Sequence, residues 1–183
     1  MSDKVWFTAD THFGHENIIR YCNRPFADAS EMDNELIQNW NGRVGHEDVI
    51  YHLGDVTLQE IGFCANILRR LNGKIRIIPG SHDWRWLEGF CDVKIQGASG
   101  HVVEVLPPLV SLEFDRDDKY PLVIVLCHYA MRVWDRSHYG SWHLYGHSHG
   151  NLMPIGKSYD VGIDPNEFVP LNLEELSLIM EGI

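Results

Sequence analysis

Apolar positions in the first half of the chain fall into short dense runs separated by stretches of helical spacing. Residues 4–8 read as a buried strand that ends at Asp10-Thr11-His12. Ser30 with an acid three residues later, Asp33, carries a helix-start pattern, and Met32, Leu36, Ile37 and Trp40 then follow at helical spacing as a core-facing stripe. Residues 48–53 form a second expected strand, ending at Gly54-Asp55, and residues 58–71 a helix with Asn72-Gly73 as its stop. A third strand, 74–78, ends at Pro79-Gly80-Ser81-His82-Asp83. Strand, helix and strand in succession predict parallel pairing through right-handed crossovers.

The texture changes after residue 90. Residues 93–96, 101–106, 109–114 and 122–127 read as strands, with a polar hairpin loop at 115–119 between the last two. Residues 142–145 form a short strand ending at Gly146-His147-Ser148-His149, a strand pair is expected around 159–163, and a short helix near 173–178 closes the chain. The pattern predicts an α/β sandwich with parallel elements early and antiparallel ones late. No repeat, low-complexity tract or linker divides the 183 residues, which suit a single domain spanning 1–183.

Composition changes this picture little until histidine is counted. Hydrophobic residues at 44% and charged residues at 22% are ordinary globular usage. No apolar run approaches the roughly 20 residues that span a bilayer, and the start lacks a secretory signal, so a cytoplasmic protein without a membrane partner is expected. Cys22, Cys64, Cys91 and Cys127 lie far apart, which suits buried or half-buried thiols rather than a zinc knuckle or a disulfide framework. A net charge of −11 repels long nucleic acids, whereas a small phosphorylated substrate drawn to cations in a cleft is compatible with it. The 11 histidines point to metal or proton chemistry, and their positions decide the matter.

Asp10 and His12 follow the first expected strand, Asp55 the second, and Ser81-His82-Asp83 the third; His128 follows 122–127, and His147 with His149 follows 142–145. The carboxyl ends of strands line the ligand crevice of open α/β sheets, so five separated segments can aim imidazoles and carboxylates into one place. Asp10-x-His12 and His147-x-His149 each put two side chains on one side of an extended backbone. Nitrogen and carboxylate oxygen without thiolate suit Mn, Fe, Zn or Ni, and a carboxylate such as Asp55 can bridge two cations.

These residues resemble the calcineurin-like metallophosphoesterases, whose pattern runs Asp-x-His, Gly-Asp, Gly-Asn-His-Asp/Glu, His, Gly-His-x-His. Asp10-Thr11-His12, Gly54-Asp55, Gly80-Ser81-His82-Asp83, His128 and Gly146-His147-Ser148-His149 match it in order, over nearly the whole chain, and the chain looks like a compact bacterial or phage-type member. The resemblance implies an αββα sandwich of two mixed β-sheets flanked by helices. It implies two divalent ions (Mn2+, Fe2+/Fe3+, Ni2+ or Zn2+), one on Asp10, His12 and His149, the other on His128 and His147, with Asp55 bridging. Ser81 stands where the family has an asparagine ligand of the second ion, which implies a weaker second site. His82 is implied as a general acid on the leaving-group side, with Asp83 as its orienting partner, in a phosphoesterase that attacks through a metal-bridging hydroxide.

A phosphodiesterase on small esters, nucleotide-derived ones included, is the favoured reading. The alternatives are a phosphomonoesterase or phosphoprotein phosphatase, and a binding scaffold on a decayed site. Arg24 is a candidate for bidentate phosphate contact, against a loop-anchoring ion pair, and His15 for lining the cleft. His52 and His143 read as core or supporting residues; His46, His101 and His138 read as surface groups. Residues 13–30, 84–100 and 129–142 are expected to shape specificity.

Overall fold

The computed structural model of the chain describes residues 4–90, 93–116 and 120–183. Residues 117–119 of the expected hairpin loop, and Cys91, lie outside this set. Two mixed sheets stack face to face with helices against them. The first has the order β4-β3-β2-β1-β9, formed by Glu104–Val105, Lys74–Ile77, Val49–His52, Val5–Thr8 and Leu171–Asn172. Its four strands from β4 to β1 run parallel, and only β9 is antiparallel. The second has the order β5-β6-β7-β8, formed by Leu109–Phe114, Leu122–Cys127, Trp142–Tyr145 and Ser158–Asp160.

Alternation along the strands sorts the core into two layers. Trp6, Ile50, Ile75 and Ile77 face α2 (Ala29–Arg43), α3 (Ile61–Leu68) and α4 (Trp84–Phe90), whose Met32, Leu36, Trp40, Leu68 and Trp86 complete one cluster. Phe7, Ala9, Tyr51, Leu53 and Ile78 face the other way and meet Leu122, Ile124, Leu126, Trp142 and Leu144 between the sheets, with Leu176 and Met180 of α5 (Leu173–Glu181) beside them. The expected α/β sandwich of two mixed sheets flanked by helices is the observed architecture. No helix among the described residues is long and apolar enough to cross a membrane.

The local expectations need correction in four places. Parallel pairing persists late: β6 with β7 and β7 with β8 are parallel, and β5 with β6 is the antiparallel pair of the second sheet. The expected strands 93–96 and 101–106 shrink to one Gln96–Val102 bridge and the two residues of β4, because the Gly97–Gly100 turn leaves too little extended chain to pair. The strand pair expected at 159–163 is a single strand, β8, whose continuation crosses to the first sheet through a bridge between Gly162 and Ala9. The cap of α2 is Asp28, two residues before Ser30: its carboxylate accepts from Glu31 N at 2.8 Å. Helices α1 (Glu16–Tyr21) and α4 are too short for periodicity to reveal.

Docking of the sheets through the inner cluster brings the ends of β1, β2 and β3 against the ends of β6 and β7. Leu144 is fully buried in that cluster. Leu144→Ala is expected to cost about 2–5 kcal/mol of unfolding free energy by chemical denaturation, in one cooperative transition; a loss below about 1 kcal/mol would place little of the stability between the sheets.

Candidate metal centre

Where β1 and β2 end, their backbones stay joined: Asp10 N donates to Gly54 C=O and His12 N to Asp55 C=O, both at 3.0 Å. The chain then bends into conformations L-residues avoid. Asp10, His12, Asp55, His147 and His149 have φ of 59°, 50°, 58°, 67° and 48°. Left-handed backbone at a non-glycine residue costs on the order of 1–3 kcal/mol and persists only where its surroundings enforce it. The Gly54 and Gly80 loops also touch: a Cβ on Gly80 would lie 2.3 Å from Asp55 N and 2.4 Å from Asp55 Oδ1. Glycine before Asp55 and before Ser81 is therefore a requirement of close approach.

Buried carboxylates do the enforcing. Asp83, expected to orient His82, lies beneath the loops instead. It accepts from Asp55 N (2.8 Å), Val56 N (2.9 Å), Gly80 N (2.8 Å) and Trp86 Nε1 (2.8 Å), so both oxygens are committed to loop backbone and to α4. Burial raises its pKa, against those donors. Asp160 plays the same part for the histidine loop after β7, accepting from Ser148 Oγ, Gly150 N and Gly162 N. Neither role was read from the sequence, although acids at 160 and 164 inside the apolar run Tyr159-Asp160-Val161-Gly162-Ile163-Asp164 are the available cue.

Two groups of ligand atoms result. Those of Asp10, His12 and His149 lie within 4.8 Å of one another, as do those of Asp55, His128 and His147. Asp55 Oδ2 lies between the groups, 3.7 Å from His12 Nε2 and 3.4 Å from His128 Nε2. Hydrogen bonds fix the rings: His128 Nδ1 donates to Leu53 C=O at 2.7 Å and His149 Nδ1 to Asp164 Oδ2 at 2.7 Å, which leaves each Nε2 free. A carbonyl or carboxylate behind an imidazole is the usual way a ligating ring is aimed.

The atoms facing the space between these residues lack partners. Asp10 Oδ1, both ring nitrogens of His12 and Nε2 of His128 are buried without a hydrogen bond. Such atoms are costly unless something satisfies them, and a divalent cation in each group would do so with the nitrogen and oxygen donors that Mn, Fe, Ni or Zn prefer. Ser81 reaches the second group indirectly, its Oγ donating to Asp55 Oδ2 at 3.1 Å.

Burial and mutual charge shift the titration of these groups. Burial pushes the Asp10 carboxyl up to about 7, against His149 and His128. Burial also opposes charge on Asp55, but His128 and the His82 amide hold its carboxyl well below the usual range. Burial keeps His12 well below its ordinary value, against Asp55, and works likewise against His128, which Asp55 nonetheless holds above its own. Cys22 also lies within 4.8 Å of His149 and Asp164, and burial lifts its thiol to about 11, so it stays neutral. Cys22 and Cys127 are half-buried and Cys64 is buried, all unpaired.

At the mouth, the exposed His82 ring lies 5.7 Å from the His12 ring, and its amide donates to Asp55 Oδ1 at 2.8 Å. The His15 ring is also 5.7 Å from His12, half-buried, with Nδ1 unpaired. Burial and then the neighbouring His82 lower its pKa.

Arg24 is withdrawn from the substrate candidates. It is buried, and all five N–H donors are committed: Nε and Nη2 to Asp164 at 2.8 and 2.9 Å, Nη2 to Asp10 C=O at 2.8 Å, Nη1 to Thr11 C=O at 3.0 Å and to Met32 Sδ at 3.3 Å. The loop-anchoring alternative describes it. Trp86 is fully buried against Asp83 and Trp84 is exposed.

His143 is buried on the outer face of β7 and His52 behind the first ligand loop. His52 Nδ1 accepts from Gly54 N at 3.1 Å, so Nε2 carries the proton and donates to Thr11 Oγ1 at 3.0 Å, while Thr11 donates on to Val56 C=O at 3.2 Å. Burial lowers the His52 pKa to about 3. Its folded value is depressed, so its contribution is complete above the ordinary value of about 6.5 and is lost as pH falls from there toward 3. Unfolding free energy of the metal-free chain, measured by denaturant at pH 7, 6 and 5, should therefore decline more steeply in the natural chain than in His52→Gln. The difference should approach about 1.4 kcal/mol per pH unit; equal slopes would contradict a neutral buried ring.

No family model matches the chain. It is 30% identical over 187 residues to the uncharacterized protein MJ1445 of Methanocaldococcus jannaschii, across 97% of this chain and 92% of that one. The Gene 66 protein of Mycobacterium phage D29 is 26% identical over 201 residues, across 98% of each. Among solved structures, the protein of unknown function AQ665 from Aquifex aeolicus is similar with a TM-score of 0.67 at 19% identity, covering 97% of this chain and 100% of that one, a likeness of fold. At that identity across nearly the whole of both chains, the chain belongs to the family of the uncharacterized protein MJ1445.

Proposed function

We propose that this chain is a calcineurin-like metallophosphoesterase, a two-metal hydrolase of small phosphate esters with phosphodiesters as the favoured substrates. The observation that carries the reading is the pair of three-residue ligand groups on either side of Asp55 Oδ2, with buried unpaired atoms facing inward. Asp10, His12 and His149 would hold one ion, and Asp55, His128 and His147 the other, with Asp55 shared. Two such ions, when bound, neutralise phosphate charge and lower the pKa of water.

The chain's own residues supply the remainder. The left-handed loops hold the ligands in place before substrate arrives, so little reorganisation is needed during reaction. His82 stands exposed at the mouth, where its ring can deliver a proton to the departing oxygen, an effect typically worth about 10²–10⁴-fold. His15, on the same side, places its half-buried ring beside His12. The alkoxide expelled from an unactivated ester is a poor leaving group and gains most from an acid there.

The test is a matrix of metals and substrates on stripped protein refilled with Mn, Ni, Fe, Zn or Mg, comparing a nitrophenyl monoester with the bis-nitrophenyl diester. Turnover restored by at least one transition metal, with the diester preferred, is expected; no turnover with any metal on either ester contradicts the reading. His82→Ala should lose about 10²–10⁴-fold on esters with poor leaving groups and much less on nitrophenyl esters. Equal losses on both would remove the acid role.

Ser81 offers the second ion a hydroxyl that is already given to Asp55. Ser81→Asn should therefore tighten the weaker of two manganese affinities measured by calorimetry. No gain would show that position 81 does not limit the second site.

A further inference from the structure

The ion pair of Arg24 and Asp164 joins segments 140 positions apart in sequence and is almost wholly buried. Arg24 follows α1 on the first-sheet side, and Asp164 begins the 3-10 turn Asp164–Asn166 beyond β8 of the second sheet. Each partner makes a second set of contacts, and both sets end on the same ligand group. Arg24 grips the carbonyls of Asp10 and Thr11, within the left-handed loop that projects Asp10 and His12. Asp164 accepts from His149 Nδ1 through Oδ2, the oxygen that also takes Arg24 Nη2.

We infer that Arg24 and Asp164 form a clamp that positions the three ligands of the first cation, Arg24 by setting the Asp10–His12 loop and Asp164 by aiming His149 Nε2 into the group. The inference rests on the two-cation reading and adds to it an order of construction. The first position draws ligands from both sheets, and this pair is one link between them, beside the His147 amide that donates to Asp10 Oδ2. The second position also draws on both sheets, but none of its ligands bonds to the pair: His128 is held by Leu53 C=O, and exposed His147 rests on the rings of His128 and Tyr129 at 5.1 and 4.9 Å. A buried ion pair is in general weak evidence of stabilisation, since apolar replacements of similar size often do as well. The division of Asp164 between a guanidinium and a ligand-type imidazole is what a positioning role requires.

The test uses the full chain, stripped of metal and titrated with manganese by calorimetry without substrate. Asp164→Asn keeps the volume and removes the charge; Arg24→Lys keeps the charge and loses the fork that spans two carbonyls and a carboxylate. Loss of an outer partner of a ligating histidine typically weakens metal binding about 10–100-fold. Both variants should show one affinity reduced by that factor and the other unchanged. In a His147→Ala background, where only the first position is complete, Asp164→Asn should weaken the remaining ion by the same factor; in a His12→Ala background it should change nothing. Unchanged affinities, or equal weakening of both ions, would overturn the clamp and leave a purely structural ion pair. Because Asp164→Asn is isosteric, its fold is checked by circular dichroism beside the titration. A natural chain that takes up no manganese removes the two-cation reading and the clamp together, a result distinct from two ions bound normally in both variants.

Discussion

A floor of imidazole and carboxylate atoms facing one another without partners is unstable unless the backbone beneath is held rigid, and that holding organises the rest of this molecule. Five of the side chains concerned stand on left-handed backbone, a conformation that relaxes if its neighbours let go. Three buried carboxylates prevent the relaxation. Asp83 ties the loop after β2 to the loop after β3, Asp160 ties the loop after β7 to β8, and Asp164 ties that same loop to Arg24. Each is satisfied by N–H or O–H donors, which is how a buried acid avoids becoming a liability.

The sheets contribute the second half of the constraint. Parallel pairing sends the ends of β1, β2 and β3 to one edge, and the parallel pair β6 and β7 sends its ends to the facing edge. The inner apolar cluster fixes the distance between them, and His147 N donating to Asp10 Oδ2 at 2.8 Å stitches one edge to the other. Stability and the proposed chemistry are linked through that arrangement: a change that loosens sheet docking should also separate the ligand groups.

Much of this was legible in the sequence because strand ends announce themselves. Short β-branched or apolar runs followed by Gly-Asp or by His-x-His marked where the chemistry-bearing residues would fall, and the structure brings Asp10, His12 and His149 into one group and Asp55, His128 and His147 into another. Arg24 was ambiguous for a physical reason. A guanidinium next to a ligand loop serves a phosphate or a carboxylate with the same fork, and its partner, Asp164, is 140 residues away. Asp83 was misassigned because the family resemblance implied a partner for His82, whereas the loop turns its carboxylate under the backbone. Helices α1 and α4 escaped because six or seven residues hold too few turns for periodicity to register.

The central claim is that two cations sit side by side on these residues. Crystals soaked in manganese and measured at its absorption edge test it most directly. Two anomalous peaks are predicted, one bounded by Asp10, His12 and His149, the other by Asp55, His128 and His147, with the Asp55 carboxylate between them. An absence of peaks, with these side chains turned away from one another, would contradict it.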